Sequence, residues 1–287
     1  PKGWPQSNQM SGDEYFGSND AEQEIERFDR VAKQRFWVTP QNRQIHLTIP
    51  PTVYPPREDT DLLARVLHDL PNPNGKRLLE IGCGSGAVSL FAAQLGFSVT
   101  ACDINPFAVA SSRNSAQKNG IQIDVREGGP GPQADGEVRQ WAGDSPHDVI
   151  VWNLPYLTPQ INSQHLGPLE EAALLDTDDK GLVTRLLNLL QTTNILADRG
   201  VIYLLVSHNE RGKSARALCL RNGFAVRSVI THTFDDGECL EVLGIWRPYQ
   251  LNSKIYKDEL DSTNTSLLNS NEKEGDFLQA GRQLAGH

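Results

Sequence analysis

The residues whose types and spacing can do chemistry begin with Asn153, Leu154, Pro155 and Tyr156, which end the apolar run "DVIVW" at 148–152. An Asn side-chain oxygen beside a backbone carbonyl can accept both N–H bonds of a planar –NH2 group. A nitrogen of that kind, in an amide or an exocyclic amine, has a delocalised lone pair and is a poor nucleophile. Fixing it against its reaction partner is therefore the main help a protein can give. Pro155 would keep the carbonyls rigid, and the Tyr156 ring offers a flat apolar surface for a planar substrate. Taken alone, the same four residues could be a strand-terminating turn with a core tyrosine.

A second constellation is "EIGCGSG", residues 80–86, with Asp103 about 20 residues beyond the loop. Gly82 and Gly84 let the backbone turn tightly and approach a ligand with no Cβ in the way. The helix that follows aims free N–H groups at whatever lies there. Asp103, at the end of the next strand, can accept both hydroxyls of a ribose. Many α/β proteins need a glycine turn only to reverse direction, and the loop plus acid also fits a dinucleotide site. Two details favour S-adenosylmethionine over a pyrophosphate cofactor: the tighter Glu-x-Gly-x-Gly-x-Gly spacing, and Glu80, which can meet a cationic amino group.

These residues need a frame that brings strand ends together. "KRLLEIG", "FSVTACD", "IDVRE", "DVIVWN" and "GVIYLLVS" read as buried strands, separated by the helices "SGAVSLFAAQLG", "NPFAVASSRNSAQKNG" and "KGLVTRLLNLLQTTNILAD". Asn105 is a predicted N-cap, with Pro106 at the first helical position and Gly120 just past the end. Residues 128–146 read as a Gly/Pro/Asp-rich loop. "NERGKSARALCLRNG" is a further helix, and "FAVRSVITH" and "CLEVLGIWR" are two pairing strands. The pattern predicts an α/β fold: a Rossmann-like, doubly wound, mostly parallel seven-stranded sheet with a C-terminal antiparallel strand pair. "RFWVTP" and "QIHLTIP" predict an N-terminal β-hairpin extension. "PPTVYPPRED" then leads into a helix that Thr60 can cap, with Leu62, Leu63, Val66, Leu67 and Leu70 on its apolar face. The expected organisation is a flexible then helical segment (1–34), the hairpin and lead-in (35–58), the main domain (59–249) and a polar, disordered tail (250–287).

Net charge is −9 and the pI about 5.3, so no global basic field attracts nucleic acid. No apolar run approaches the roughly 18 residues of a membrane span, and no signal peptide is expected. The four cysteines are scattered, which argues against a zinc site and suits buried thiols in a reducing cytoplasm.

With its glycine loop, acid and Asn-x-Pro-Tyr, the sequence resembles the class I S-adenosylmethionine-dependent methyltransferases. "VYPPREDTDLLA", "DINPFAVASSRNSAQKNG" and "LEEAALLDTDDKGLVTRLL" narrow the resemblance to the HemK/PrmC/Mtq2-like protein-(glutamine-N5) methyltransferases, over about residues 35–248. That resemblance implies a cytoplasmic enzyme that methylates glutamine in a protein such as a peptide-chain release factor. By it, Thr60, Glu80, Ile81, Gly82, Cys83, Gly84, Gly86, Asp103, Ile104 and Asn153 hold S-adenosylmethionine. Asn153, Leu154, Pro155 and Tyr156 bind the substrate, with Asn153, Pro155 and Tyr156 at the chemistry, and no metal is involved.

Three departures stand against the family pattern. Leu154 replaces the usual first proline of Asn-Pro-Pro-Tyr, and Asn-Leu-Pro-Tyr is also typical of rRNA adenine dimethylases. An RNA or DNA amino-group methyltransferase therefore stays open. Gly128-Gly129 lacks the acid that usually stands near the adenine, which Asp144 could replace; a non-catalytic S-adenosylmethionine-binding module is the matching alternative. Too few residues precede the hairpin for the helical substrate-docking domain of bacterial PrmC. Elsewhere, His208 reads as solvated and "DTDDK" (176–180) as a helix cap. Arg211, Lys213, Arg216, Arg221 and Arg227 read as a solvated basic helix face.

Overall fold

The computed structural model describes residues 33–130, 138–155, 181–208, 210–234, 237, 239–248, 253–268 and 276–284. Tyr156, the "DTDDK" run and the N-terminal helical stretch lie outside these residues. The chain divides into two units, Pro1–Arg247 and Pro248–His287.

Five parallel strands build the first unit, the inner ones largely apolar because helices cover both their faces, the edge strand "DVRE" polar and partly exposed. They are β3 (Arg77–Ile81), β4 (Ser98–Asp103), β5 (Asp124–Glu127), β6 (His147–Asn153) and β7 (Leu196–Ser207). Two more, β8 (Ala225–Thr233) and β9 (Cys239–Trp246), complete a seven-stranded sheet of order β5-β4-β3-β6-β7-β9-β8. β9 runs antiparallel between β7 and β8, as the predicted C-terminal pair requires. The chain leaves β3 toward β4 and β5, then returns to place β6 on the other side of β3. That reversal opens a crevice at the carboxyl ends of β3, β4 and β6, the usual ligand position in such sheets.

Among the described residues the helices of the sheet unit are α1 (Glu58–His68), α2 (Ala87–Leu95), α3 (Pro106–Asn119), α4 (Val138–Ala142), α5 (Leu182–Thr192) and α6 (Glu210–Arg221). Side chains alternate across the sheet. Leu79, Ile81, Ile150 and Trp152 pack against α5 and α6, whereas Leu78, Val149 and Val151 pack against Leu62, Leu63, Val66 and Val88 of α1 and α2. By the same parity Glu80 and Asn153 belong to the face covered by α1 and α2.

In front of the sheet unit, β1 (Lys33–Val38) and β2 (Gln44–Ile49) form the expected antiparallel hairpin, Trp37 opposite Ile45. Ile45 and Leu47 are fully buried among Ala64, Ala87, Leu90 and Phe91, and each such side chain contributes about 1.5–3 kcal/mol. Ser111, Ser115 and Asn119, one turn apart on α3, act as a substitute neighbouring strand. Ser111 Oγ donates to the Thr48 carbonyl, the Thr48 N–H to Ser115 Oγ (3.2 Å), and the His46 N–H to Asn119 Oδ1 (2.9 Å). The Trp37 indole N–H donates to Asp61 Oδ1 at 2.7 Å, tying the hairpin to the first turn of α1.

Three expectations change. The predicted helix over 180–198 stops at Thr192: Thr193 is extended, and β7 begins at Leu196, paired with His147. Part of the loop 128–146 is the short helix α4, which buries Trp141. In the second unit, expected to be a disordered tail, β10 (Ser253–Leu260) and β11 (Asp276–Gln283) pair in parallel, with α7 (Thr263–Leu268) between them. Polar composition weakens a core but leaves the backbone free to pair. No helix among the described residues is long and apolar enough to cross a membrane.

Candidate functional site

The glycine loop leaves β3 with φ of +69° at Gly82, +52° at Gly84 and +82° at Gly86. Gly86 is the strict requirement. A Cβ there would lie 2.9 Å from Ser112 Oγ and 3.2 Å from the Ser112 Cα, so α3 packs directly on the N-terminus of α2. The loop's own polar groups are paired locally. The Gly82 and Cys83 N–H groups donate to the Cys102 carbonyl (2.8 and 3.0 Å), and Ser112 Oγ donates to the Gly84 carbonyl (3.0 Å). The buried Cys83 thiol stands 3.4 Å from Ser112 Oγ. Burial, then the charges of Asp103 and Glu80, push its pKa well above the ordinary value, so it lines the loop as a neutral thiol.

Asp103 ends β4 beside this loop. One carboxylate oxygen accepts the Gly84 N–H and the other the Asn105 N–H, both at 2.9 Å. Burial raises its pKa and these backbone donors oppose the rise. Asn105 caps α3 through the Phe107 N–H and donates its Nδ2 to the Thr52 carbonyl at 2.9 Å. Ile104 is exposed beside Asp103, and its Cγ2 lies 3.6 Å from where a Cβ of Gly129 would stand. Glu80 lies one layer deeper, buried, and its carboxyl accepts a hydrogen bond from Ser89 Oγ of α2. Burial is the main reason its pKa rises to about 8, aided by the Asp103 charge and opposed by Ser89.

The end of β6 is held differently. Asn153 Nδ2 donates to Asp59 Oδ2 at 2.8 Å, while Asn153 Oδ1 is buried with no hydrogen-bond partner among the described residues. The buried Asp59 also accepts the Thr60 N–H (2.6 Å) and the Thr60 hydroxyl (3.1 Å) on Oδ1. Burial raises the Asp59 pKa, and its bonds from Asn153 and Thr60 oppose that. Thr60 is therefore not the N-cap of α1. It is the third helical residue, and its hydroxyl accepts the Arg57 N–H at 3.2 Å. Leu154 is buried, its N–H reaching the Leu205 carbonyl at 3.3 Å, and Pro155 is half-buried.

Residues 52–60 thus cross three strand ends in turn. Thr52 meets Asn105 beyond β4, the Tyr54 carbonyl lies against Gly84 beyond β3, and Asp59 meets Asn153 at β6. The structure brings Thr60, Gly82 to Gly86, Asp103, Ile104, Asn153 and Pro155 to the neighbouring ends of β3, β4 and β6, with Glu80 buried below them. The Ile81 and Leu154 side chains instead pack into the core on the α5 and α6 face. Sequence reasoning missed Asp59, although a signal was there: it shares the apolar stripe of Leu62, Leu63, Val66 and Leu67, where an acid is out of place. Asp144 is exposed and paired with Arg139. His208 and Arg216 both bind the buried Glu241, at 3.1 and 2.6 Å, and Arg227 stacks over Trp246, so the predicted solvated basic face is in part structural. Among the described residues all four cysteines are free, Cys239 being only partly buried, and no cluster of three or more His, Cys, Asp or Glu could hold a metal.

Comparison with known proteins fits this geometry. The family model "Methyltransferase small domain" matches residues 53–167. A Methanocaldococcus jannaschii protein, named as a candidate protein N5-glutamine methyltransferase, is 31% identical over 164 residues, which cover 57% of this chain and 76% of that protein. The human MTRF1L release factor glutamine methyltransferase is 31% identical over 187 residues; the match covers 56% of this chain but only 52% of that protein. Among solved structures, the Thermus thermophilus 16S rRNA N2 G1207 methyltransferase shares the fold, with a TM-score of 0.53 at 15% identity over 76% of this chain and 51% of that one.

Proposed function

This chain belongs to the HemK/PrmC/Mtq2-like family of class I S-adenosylmethionine-dependent methyltransferases, and from that premise we propose that it methylates the side-chain nitrogen of a glutamine in a protein such as a peptide-chain release factor. The observation that carries this reading is the state of Asn153, whose NH2 is engaged by Asp59 while its buried oxygen is unpaired. A buried acceptor without a partner costs about 1–3 kcal/mol, and an incoming –NH2 group relieves that cost.

The residues at the crevice suit S-adenosylmethionine. Both Asp103 oxygens are held in place by backbone N–H groups and keep lone pairs for ribose hydroxyls. Gly82 is exposed and Gly84 half-exposed, so no side chain fills the loop where the cofactor would lie. Glu80 offers a desolvated carboxyl that a cationic amino group would ionise. When bound, the cofactor supplies a sulfonium methyl to a nitrogen approaching in line.

The chain's own part is to orient and polarise that nitrogen. Asn153 Oδ1 and the Leu154 carbonyl accept its two N–H bonds, which draws electron density toward nitrogen and favours the tetrahedral form that attacks. The new N–CH3 bond would form as the methyl's bond to sulfur breaks and its electron pair stays on sulfur. Positive charge grows on nitrogen, the same two oxygens stabilise it, and one N–H proton then passes to solvent. Pro155 keeps the Leu154 carbonyl from turning away. Tyr156 completes this proposal as the surface on which the planar group stacks.

An adenine amino group could satisfy the same two acceptors, and Leu154 is the residue found in adenine dimethylases. The net charge of −9 counts against a nucleic-acid acceptor. Incubation with methyl-labelled S-adenosylmethionine and a cell extract separates the two. Label in a protein band, mapped to a glutamine, is the expected result. Label in RNA or DNA alone would overturn the glutamine assignment.

A further inference from the structure

We infer that Asp59 is the positioning residue of the acceptor site: it turns the Asn153 amide so that oxygen, not NH2, meets the acceptor, and so makes the site choose an amide over a carboxylate. This rests on the glutamine proposal and extends it to the residue that sets acceptor specificity.

An Asn amide can be turned by half a revolution with almost no change of shape, so its direction must come from its neighbours. Here the direction is forced step by step. The Arg57 N–H can only donate, so Thr60 Oγ accepts it (3.2 Å) and turns its own proton to Asp59 Oδ1 (3.1 Å). The Thr60 N–H adds a second donor to the same oxygen at 2.6 Å. Asp59 Oδ2 is left to accept Asn153 Nδ2 at 2.8 Å. Three donors surround the carboxylate. Turning the Asn153 amide over would set oxygen against oxygen and leave the NH2 without its acceptor.

The locked amide has two chemical consequences. The Asp59 carboxylate polarises the Asn153 amide through its NH2, making Oδ1 a stronger acceptor when charge builds on the reacting nitrogen. It also makes the site repel any group that brings only lone pairs. A glutamine side chain offers two N–H bonds, whereas a glutamate offers none and faces Oδ1 with the Asp59 charge behind it.

The test compares the full chain with D59N, D59A and T60V, using the glutamine-bearing protein as substrate and its Gln→Glu form as inhibitor. D59N should lower kcat about 10- to 100-fold, the range usual for partners that orient a reacting group, with S-adenosylmethionine affinity unchanged. The Gln→Glu form, a poor inhibitor of the wild type, should inhibit D59N and D59A more strongly, because Asn153 is then free to turn its NH2 outward. T60V, which keeps Asp59 but loosens it, should show the same changes at smaller size. Unchanged kcat and unchanged inhibition in D59N would overturn the inference; altered stability alone would not reproduce the inhibition change. Should the wild type fail to methylate glutamine, the proposed function is lost, and exchange of the Asn153 side-chain amide protons decides Asp59. Slow exchange in the wild type and fast exchange in D59A supports its role, and equal exchange refutes it.

Discussion

The two halves of the crevice are built by opposite means. At the ends of β3 and β4 the chain holds itself: backbone N–H groups of Gly84 and Asn105 fix Asp103, and Gly82 and Cys83 bond to Cys102. At the end of β6 the hold is remote, a side-chain bond from Asn153 to Asp59, 94 residues earlier. Both Asp103 oxygens and the Gly84 carbonyl of the first half have partners, while in the second the buried Asn153 Oδ1 has none among the described residues. Thr52 Oγ1, in the segment that crosses the first half, is likewise unpaired among them. On the proposed function, the half assigned to the cofactor is largely prefabricated, and the half assigned to the substrate keeps an acceptor waiting for an incoming –NH2 group.

The largest effect should come from the waiting half. N153A removes the acceptor oxygen and should lower kcat by about 10²- to 10³-fold, with S-adenosylmethionine affinity, measured by calorimetry, nearly unchanged. Equal losses in both would show that the halves are not separable. G86A strikes the prefabricated half. The new Cβ meets Ser112 at 2.9 Å, in a backbone region that disfavours side chains. The fold should lose about 2–4 kcal/mol in denaturant unfolding, and cofactor binding should fall with it.

Glu80 sharpens the comparison through pH. Its folded pKa, about 8, stands above the ordinary 4.5, so between those values the folded state holds a proton that the unfolded chain has lost. Its contribution to stability is complete below about pH 4.5, declines as pH rises, and is lost above about pH 8. E80Q, which has no proton to lose, should therefore be more stable than the wild type at pH 8.5, by about 1 kcal/mol or more. The difference should shrink toward pH 5. The same substitution should weaken S-adenosylmethionine binding; tighter binding would remove Glu80 from the cofactor site. The smallest effect is expected for W37F, which keeps a buried ring but drops the 2.7 Å bond to Asp61. About 1 kcal/mol of stability should go, and kcat should fall slightly while cofactor affinity holds, since only the α1 side of the site loosens.

The inner strands were legible because a sheet buried on both faces demands apolar runs, and α3 because Asn105, Pro106 and Gly120 mark both its ends. The segment "TTNILAD" was not, since its apolar residues fit a helix or a strand equally well. Pairing of Leu196 with His147 decided for strand. The second unit, Pro248–His287, was hidden because its pairing rests on backbone that composition does not reveal.

The candidate site divides in the same way. Asn153, the glycine loop and Asp103 could be named from sequence because each lies at a strand end that local pattern locates, and local chemistry says what such residues can do. Asp59 looked like Glu58 and Asp61, three acids in one helical first turn. Its place on the apolar stripe marks it as the acid that is buried, and the packing of α1 over the Val149, Val151 and Asn153 face of β6 shows what it binds. The sequence by itself determined which groups can hold a cofactor and an –NH2 acceptor, because those are properties of residue type and spacing. The tertiary structure alone decided which way the Asn153 amide points, because that direction is set by a carboxylate on another element.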